Sequence, residues 1–171
     1  MGRGSGQTNV LYGPLAARTQ EPVLGWEKCF GDGGVEYFDQ FGNLYKAVVP
    51  QGSPWKAVGA QFNDSGYTVY LKDGKAHRED GPALEFENGQ LEYWLDGQQH
   101  REDGPALITT EGIESWFRHG KLHREDGPAV DWKGTEGFEN EYYLDGESYG
   151  SKELWEKAVR KRNAISAVAF A

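Results

Sequence analysis

From Leu84 onward, apolar and acidic residues alternate as Leu84-Glu85-Phe86-Glu87, break at Asn88-Gly89 and resume as Leu91-Glu92-Tyr93-Trp94. A period of two marks a half-buried strand, and Asn-Gly between two such runs marks a tight hairpin turn. A second turn follows at Asp96-Gly97, then the heptapeptide His100-Arg101-Glu102-Asp103-Gly104-Pro105-Ala106. The same order of elements stands on either side. Tyr70-Leu71 precedes Asp73-Gly74, Trp116-Phe117 precedes His119-Gly120, and the first turn has counterparts at Ser65-Gly66 and Glu111-Gly112. The heptapeptide recurs unchanged at residues 77–83 and 123–129, 23 residues away each time. Repetition at that interval is the signature of stacked supersecondary units. Residues 67–150 are therefore expected to be a mainly β, tandem antiparallel β-hairpin repeat array.

Both flanks read differently. After Ala129 the spacing lengthens by three residues, through Lys133-Gly134 and Glu136-Gly137, before Tyr142-Tyr143-Leu144-Asp145-Gly146, and no heptapeptide follows. Ser151 is a good N-cap, and Leu154, Trp155, Ala158, Val159 and Ile165 recur at helical spacing. Residues 151–171 are thus expected to form a helical cap over the last hairpin, covering an otherwise open sheet edge. Residues 26–66 hold one degenerate hairpin, at 35–49 around Gly42-Asn43. Residues 1–25 are Gly-, Pro- and polar-rich and read as an extended N-terminal arm. Its Val10, Leu11, Tyr12 and Leu15 are too few to build a core and are expected to order against another subunit.

Charge changes the picture more than composition does. The net charge is −9, but residues 67–150 carry 8 basic against 19 acidic side chains, whereas residues 151–171 carry 5 against 2. So acidic a middle repels phosphate, which disfavours direct nucleic-acid or anionic-membrane binding and favours a basic surface on a protein partner. Cys29 is the one cysteine, excluding an internal disulfide, a thiolate zinc cage and a CxxC motif; a half-buried structural thiol is expected there. The N-terminus lacks the apolar region of a signal peptide and no stretch has the length of a membrane span, so a soluble, intracellular chain, or one assembled inside a cell, is expected.

The heptapeptide carries residue types used in metal binding and acid–base catalysis, yet its repetition argues against both. Equivalent residues two strands apart lie ~10 Å from one another, whereas the ligands of one zinc each lie ~2 Å from the ion. An active site is one asymmetric constellation, not three copies. No GxSxG, Walker A, GxGxxG, HExxH or EF-hand loop occurs, so no catalytic residue, metal or cofactor is expected. What repetition suits is a structural ladder of His77, Arg78, Glu79 and Asp80, His100, Arg101, Glu102 and Asp103, and His123, Arg124, Glu125 and Asp126. In it each arginine would bridge carboxylates of neighbouring repeats. Of the two aromatic columns, Tyr70/Tyr93/Trp116/Tyr142 is expected in the core, and Leu71, Trp94, Phe117 and Tyr143 are expected on a partly exposed, partner-binding face.

The order Tyr-Trp-x-x-Gly-x-x-His, clearest around residues 91–99, resembles the MORN repeat. MORN units continue His-Gly-x-Gly where this chain reads His-Arg-Glu-Asp-Gly-Pro-Ala. That variant resembles tandem-repeat proteins of tailed bacteriophages and giant viruses, whose last unit ends in a turn and a Ser-initiated acidic helix, as residues 145–157 do. The resemblance covers about half the chain. It implies a non-enzymatic scaffold for protein–protein contacts, such as a structural component of a phage particle. Two alternatives stand beside it: a phage inhibitor whose acidic surface blocks a basic site on a host protein, and a glycan-binding or glycan-acting protein.

Overall fold

The structure, a computed structural model, describes residues 7–8, 25–52 and 65–169. It contains two compact bodies, residues 1–98 and 99–171. The division falls inside the second repeat, between its Asp96-Gly97 turn and its heptapeptide, rather than at the ends of the repeat array.

In the N-terminal body, strands Gly25–Cys29, Val35–Asp39, Leu44–Val49, Tyr67–Lys72, Leu84–Phe86 and Leu91–Glu92 follow one another as antiparallel neighbours. Residues 35–49 form the expected hairpin. Asp39 closes its turn, donating its N–H to the Asn43 carbonyl and accepting the N–H groups of Phe41 and Asn43 on Oδ1. At Asn88-Gly89 the Phe86 N–H reaches the Gln90 carbonyl, and Gly89 has φ +93°, a conformation glycine adopts freely. Of the arm, the described part is the short strand Gln7–Thr8, which pairs with Lys28 and Glu27. Val10, Leu11, Tyr12 and Leu15 lie outside the described residues.

Strand alternation decides this body's core. In Tyr67–Lys72 it places Tyr67, Val69 and Leu71 on one face, all buried, where they join Ala47, Val49, Leu84, Phe86 and Trp94. Leu71 and Trp94 are thus core residues, which corrects their assignment to an exposed face: Leu71 shares the parity of Val69, and Tyr70 takes the other side. Cys29 is exposed rather than half-buried.

In the C-terminal body, Leu107–Ile108 and Glu114–Ser115 form the hairpin expected around Glu111-Gly112, and Val130–Asp131 pairs with Glu114–Ser115. Two further hairpins join Phe117–Arg118 to Lys121–Leu122 and Tyr142–Leu144 to Glu147–Tyr149. The fold is mainly β, built of consecutive antiparallel hairpins, with one helix, Lys152–Ala169. Ser151 caps that helix by accepting the Leu154 N–H on Oγ at 3.3 Å. Trp155 is buried and its ring lies 5.2 Å from that of Tyr142. Leu154 and Ile165, expected on the docking stripe, are exposed instead. Eleven residues make three helical turns, so these two share a face, and Trp155 lies about 100° round from it.

Candidate functional site

The first and third heptapeptides are loops that open and close on one aromatic residue. The Tyr70 N–H donates to the Ala83 carbonyl at 2.8 Å, and the Tyr70 carbonyl accepts the His77 N–H at 3.0 Å. Trp116 repeats this with Ala129 and His123 at 2.8 and 2.9 Å. The loop's arginine then lies over the ring that anchors it: Arg78 is 4.0 Å from the Tyr70 centroid and Arg124 is 3.7 Å from that of Trp116. Tyr70, Tyr93, Trp116 and Tyr142 are consequently half-buried side chains rather than core, and Phe117 and Tyr143 are half-buried as well.

The remaining heptapeptide residues follow from this geometry. Arginine Nε donates to the aspartate two residues on, at 2.9 Å for Arg78–Asp80, 2.9 Å for Arg101–Asp103 and 2.7 Å for Arg124–Asp126. The same guanidinium reaches the carbonyl of Pro82, Pro105 or Pro128, and Arg78 also bonds Glu85 at 2.8 Å. Glycine leaves room for it: a Cβ on Gly127 would stand 2.9 Å from Arg124 Cζ. Ala83, Ala106 and Ala129 are fully enclosed, so nothing larger fits. The arginine–aspartate pairs lie within a repeat rather than between repeats, whereas the Arg78–Glu85 pair reaches the first strand of the next repeat, as the expected ladder has it. Arginine and aspartate two positions apart share one face of a strand but stand ~7 Å apart along it, and a compact loop folds one onto the other.

What joins one repeat to the next turn is the histidine. His77 Nδ1 lies 3.1 Å from the Asp96 N–H, His100 Nδ1 is 3.1 Å from the His119 N–H, and His123 Nδ1 is 3.0 Å from the Asp145 N–H. Two backbone bonds flank each staple. They are Gly97 N–H to Ala76 and Arg78 N–H to Trp94 in the N-terminal body. In the C-terminal body they are Gly120 to Gln99 with Arg101 to Phe117, and Gly146 to Leu122 with Arg124 to Tyr143. The turn residues Asp96, His119 and Asp145 have φ of 50°, 49° and 50°, and the glycine after each is also positive. Two successive positive φ values make the tight hairpin turn that exposes these N–H groups.

Asp145 is the hub of the last joint. Its carboxylate bonds Arg118 at 2.7 Å and Arg162 of the helix, and it lies 2.8 Å from His123 Nδ1. Hydrogen bonding from Arg162, with a further contribution from Arg118, holds its carboxyl well below the usual range. Burial, then the positive charge of Arg118, pushes the His123 imidazole down. The Trp155 indole donates to the Arg124 carbonyl at 3.1 Å, seating the helix on the third heptapeptide. Sequence reading missed Arg118, Asp145, Trp155 and Arg162 as a group. The available signal was the turn residue that recurs 19 residues after the first two heptapeptide histidines and 22 after the third.

The side chains left facing solvent are carboxylates. Glu79, Asp80, Glu102, Asp103, Glu125 and Asp126 are all exposed, whereas the arginines beside them are turned inward, with only 19–25% of the side chain accessible. Glu79, Glu102 and Glu125 sit 3.5, 3.2 and 3.5 Å from Nε2 of their own histidines. A cleft of about 600 Å³ lies between the second and third heptapeptides, lined by residues of both loops and by Trp116, Phe117 and Arg118. Among the described residues no group of three or more His, Cys, Asp or Glu side chains is placed to hold a metal ion. No helix among them is long and apolar enough to cross a membrane. Comparison with protein-family models, with curated proteins and with solved structures yields no match.

Proposed function

We propose that the chain is a non-enzymatic, MORN-like repeat scaffold whose heptapeptide loops dock basic surfaces of protein partners within an assembly, as a structural component of a phage particle. One observation carries this reading. In every heptapeptide the arginine is taken up by its own aspartate and proline carbonyl, and at Arg78 and Arg124 also by an aromatic ring, while the acidic side chains stay in solvent. The loop adds rigidity and order to the negative charge that the 19 acidic residues of 67–150 supply. Phe117 and Tyr143 remain candidates for apolar contact beside those loops.

The test is charge reversal at the exposed glutamates, Glu79→Lys, Glu102→Lys and Glu125→Lys together, followed by incorporation into particles and pull-down at low and high salt. Binding that weakens with salt in the natural chain and is lost in the triple variant is the expected result, since exposed charges are screened beyond ~8 Å at physiological ionic strength. Unchanged incorporation would overturn the reading. The charge of residues 67–150 equally favours a second reading, an inhibitor occupying a basic site on a host protein. Deleting residues 2–20 separates the two: a subunit loses incorporation, whereas an inhibitor acting through its acidic face keeps its activity.

A further inference from the structure

We propose that the histidine staples make the C-terminal body an acid-sensitive element, its two joints loosening on mild acidification while the joint of the N-terminal body holds. The argument begins with what each Nδ1 does. To accept a backbone N–H, an imidazole nitrogen must carry no proton, so the staple needs neutral histidine with its hydrogen on Nε2, where Glu79, Glu102 or Glu125 stands. Protonating Nδ1 turns an acceptor into a donor aimed at another donor. The outcome then depends on whether a carboxylate is free to take the new proton.

At His77 one is. Asp96 Oδ1 lies 2.9 Å from Nδ1 and its side chain is 75% exposed. The other charged groups at this joint are Glu79, Arg78, held by Asp80 and Glu85, and Lys75, whose stem passes Gly97. A proton there exchanges one hydrogen bond for an ion pair.

Among the described residues no carboxylate faces His100 Nδ1. The turn position that is aspartate in the other two joints is His119, whose ring stacks on His100 at 4.4 Å. The charged neighbours are Glu102 at Nε2, Arg101 held by Asp103, and Arg118, adjoining His119 in sequence and held by Asp145. Protonating Nδ1 leaves the His119 N–H without its acceptor, with the His119 ring stacked on the imidazolium so formed. His100 is buried, so water does not readily replace the lost bond.

At His123 a carboxylate is present but already claimed. Asp145 Oδ1, 2.8 Å away, is bonded by Arg118, and Oδ2 by Arg162. An imidazolium would compete with Arg118 for the same oxygen and add a third positive charge around one negative one. Glu125, 3.5 Å from Nε2, and Arg124, held by Asp126, complete the surroundings. The downward push on the His123 imidazole has the same sign. The unfolded chain takes up its proton near the ordinary imidazole value of about 6.5. The native joint takes it up lower, so stability contributed by this joint is present above that pH and is lost as pH falls through it.

The experiment compares melting temperatures at pH 7.5 and 5.0 for the natural chain, His77→Gln, and the double variant His100→Gln/His123→Gln, whose amide oxygens accept an N–H without titrating. The natural chain should lose about 2–4 °C for each acid-sensitive staple. The double variant should lose less than half as much, and His77→Gln should fall as far as the natural chain. A double variant that falls as far as the natural chain, or a His77→Gln variant that abolishes the fall, would overturn the proposal. If the double variant does not fold, hydrogen-exchange protection in the natural chain decides. The flanking amides of Arg101, Gly120, Arg124 and Gly146 should lose protection between pH 7.5 and 5.0 while those of Arg78 and Gly97 keep theirs, and equal loss at all three joints would equally overturn it.

Discussion

Replacing Trp155 by alanine should cost about 3–5 kcal/mol, the range for truncating a buried aromatic side chain. The magnitude follows from what the ring does. It is 5% exposed, it packs against Tyr142, and its indole hydrogen bond to the Arg124 carbonyl is worth about 1 kcal/mol net. Among the described residues the helix has no comparable second anchor. The Arg162–Asp145 pair has side chains 42% and 39% exposed, so solvent screening limits it to about 1 kcal/mol. An 18-residue helix is marginal in water without such docking. Urea unfolding followed by far-ultraviolet circular dichroism would read the loss as a lower midpoint. Trp155→Phe, which keeps a ring but not the indole donor, should lose about 1–2 kcal/mol. Leu154→Ala, at a position 58% exposed, should lose no more than about 0.5 kcal/mol. If Trp155→Ala and Leu154→Ala fall within 1 kcal/mol of each other, the helix is not held by this ring and the account of the cap is wrong.

Two further outcomes follow from the heptapeptide. Ala106→Leu should destabilise by about 1–3 kcal/mol through overpacking of a fully enclosed site, whereas Ala164→Leu on the exposed part of the helix should be nearly neutral in the same unfolding assay. Arg78→Ala and Arg124→Ala should each cost about 1–2 kcal/mol, combining a screened aspartate pair with a ring contact, and Arg101→Ala should cost no more than either. A loss concentrated at Arg101 would restore a ladder running between repeats.

The hairpins were legible because two local signals coincided, alternation of period two and glycine at the turn. Asn88-Gly89 and Glu111-Gly112 stand where both demanded them. Burial was less legible. Leu71 and Tyr70 are adjacent and both large, and only the parity shared with Val69 and Tyr67 says which of them enters the core. The heptapeptide's charges misled for a related reason. On a strand, Arg101 and Asp103 would look outward toward neighbours, but the loop that Gly104 and Pro105 permit folds them onto each other. The joints were least legible, since an imidazole accepting a main-chain N–H leaves no compositional trace at the residue that donates. His119 could be seen to break the Asp-Gly pattern, but not to face His100.

The loop closed on its own aromatic residue has a consequence for how such a chain can change. Every bond that shapes a heptapeptide lies within its 23-residue period or in the turn that follows, and Trp155 grasps a main-chain carbonyl that any final heptapeptide would present. Duplicating or deleting one period in register therefore regenerates the loop's own bonds and leaves the helix a carbonyl to hold. The number of such loops is an inheritable quantity, adjustable by unequal recombination.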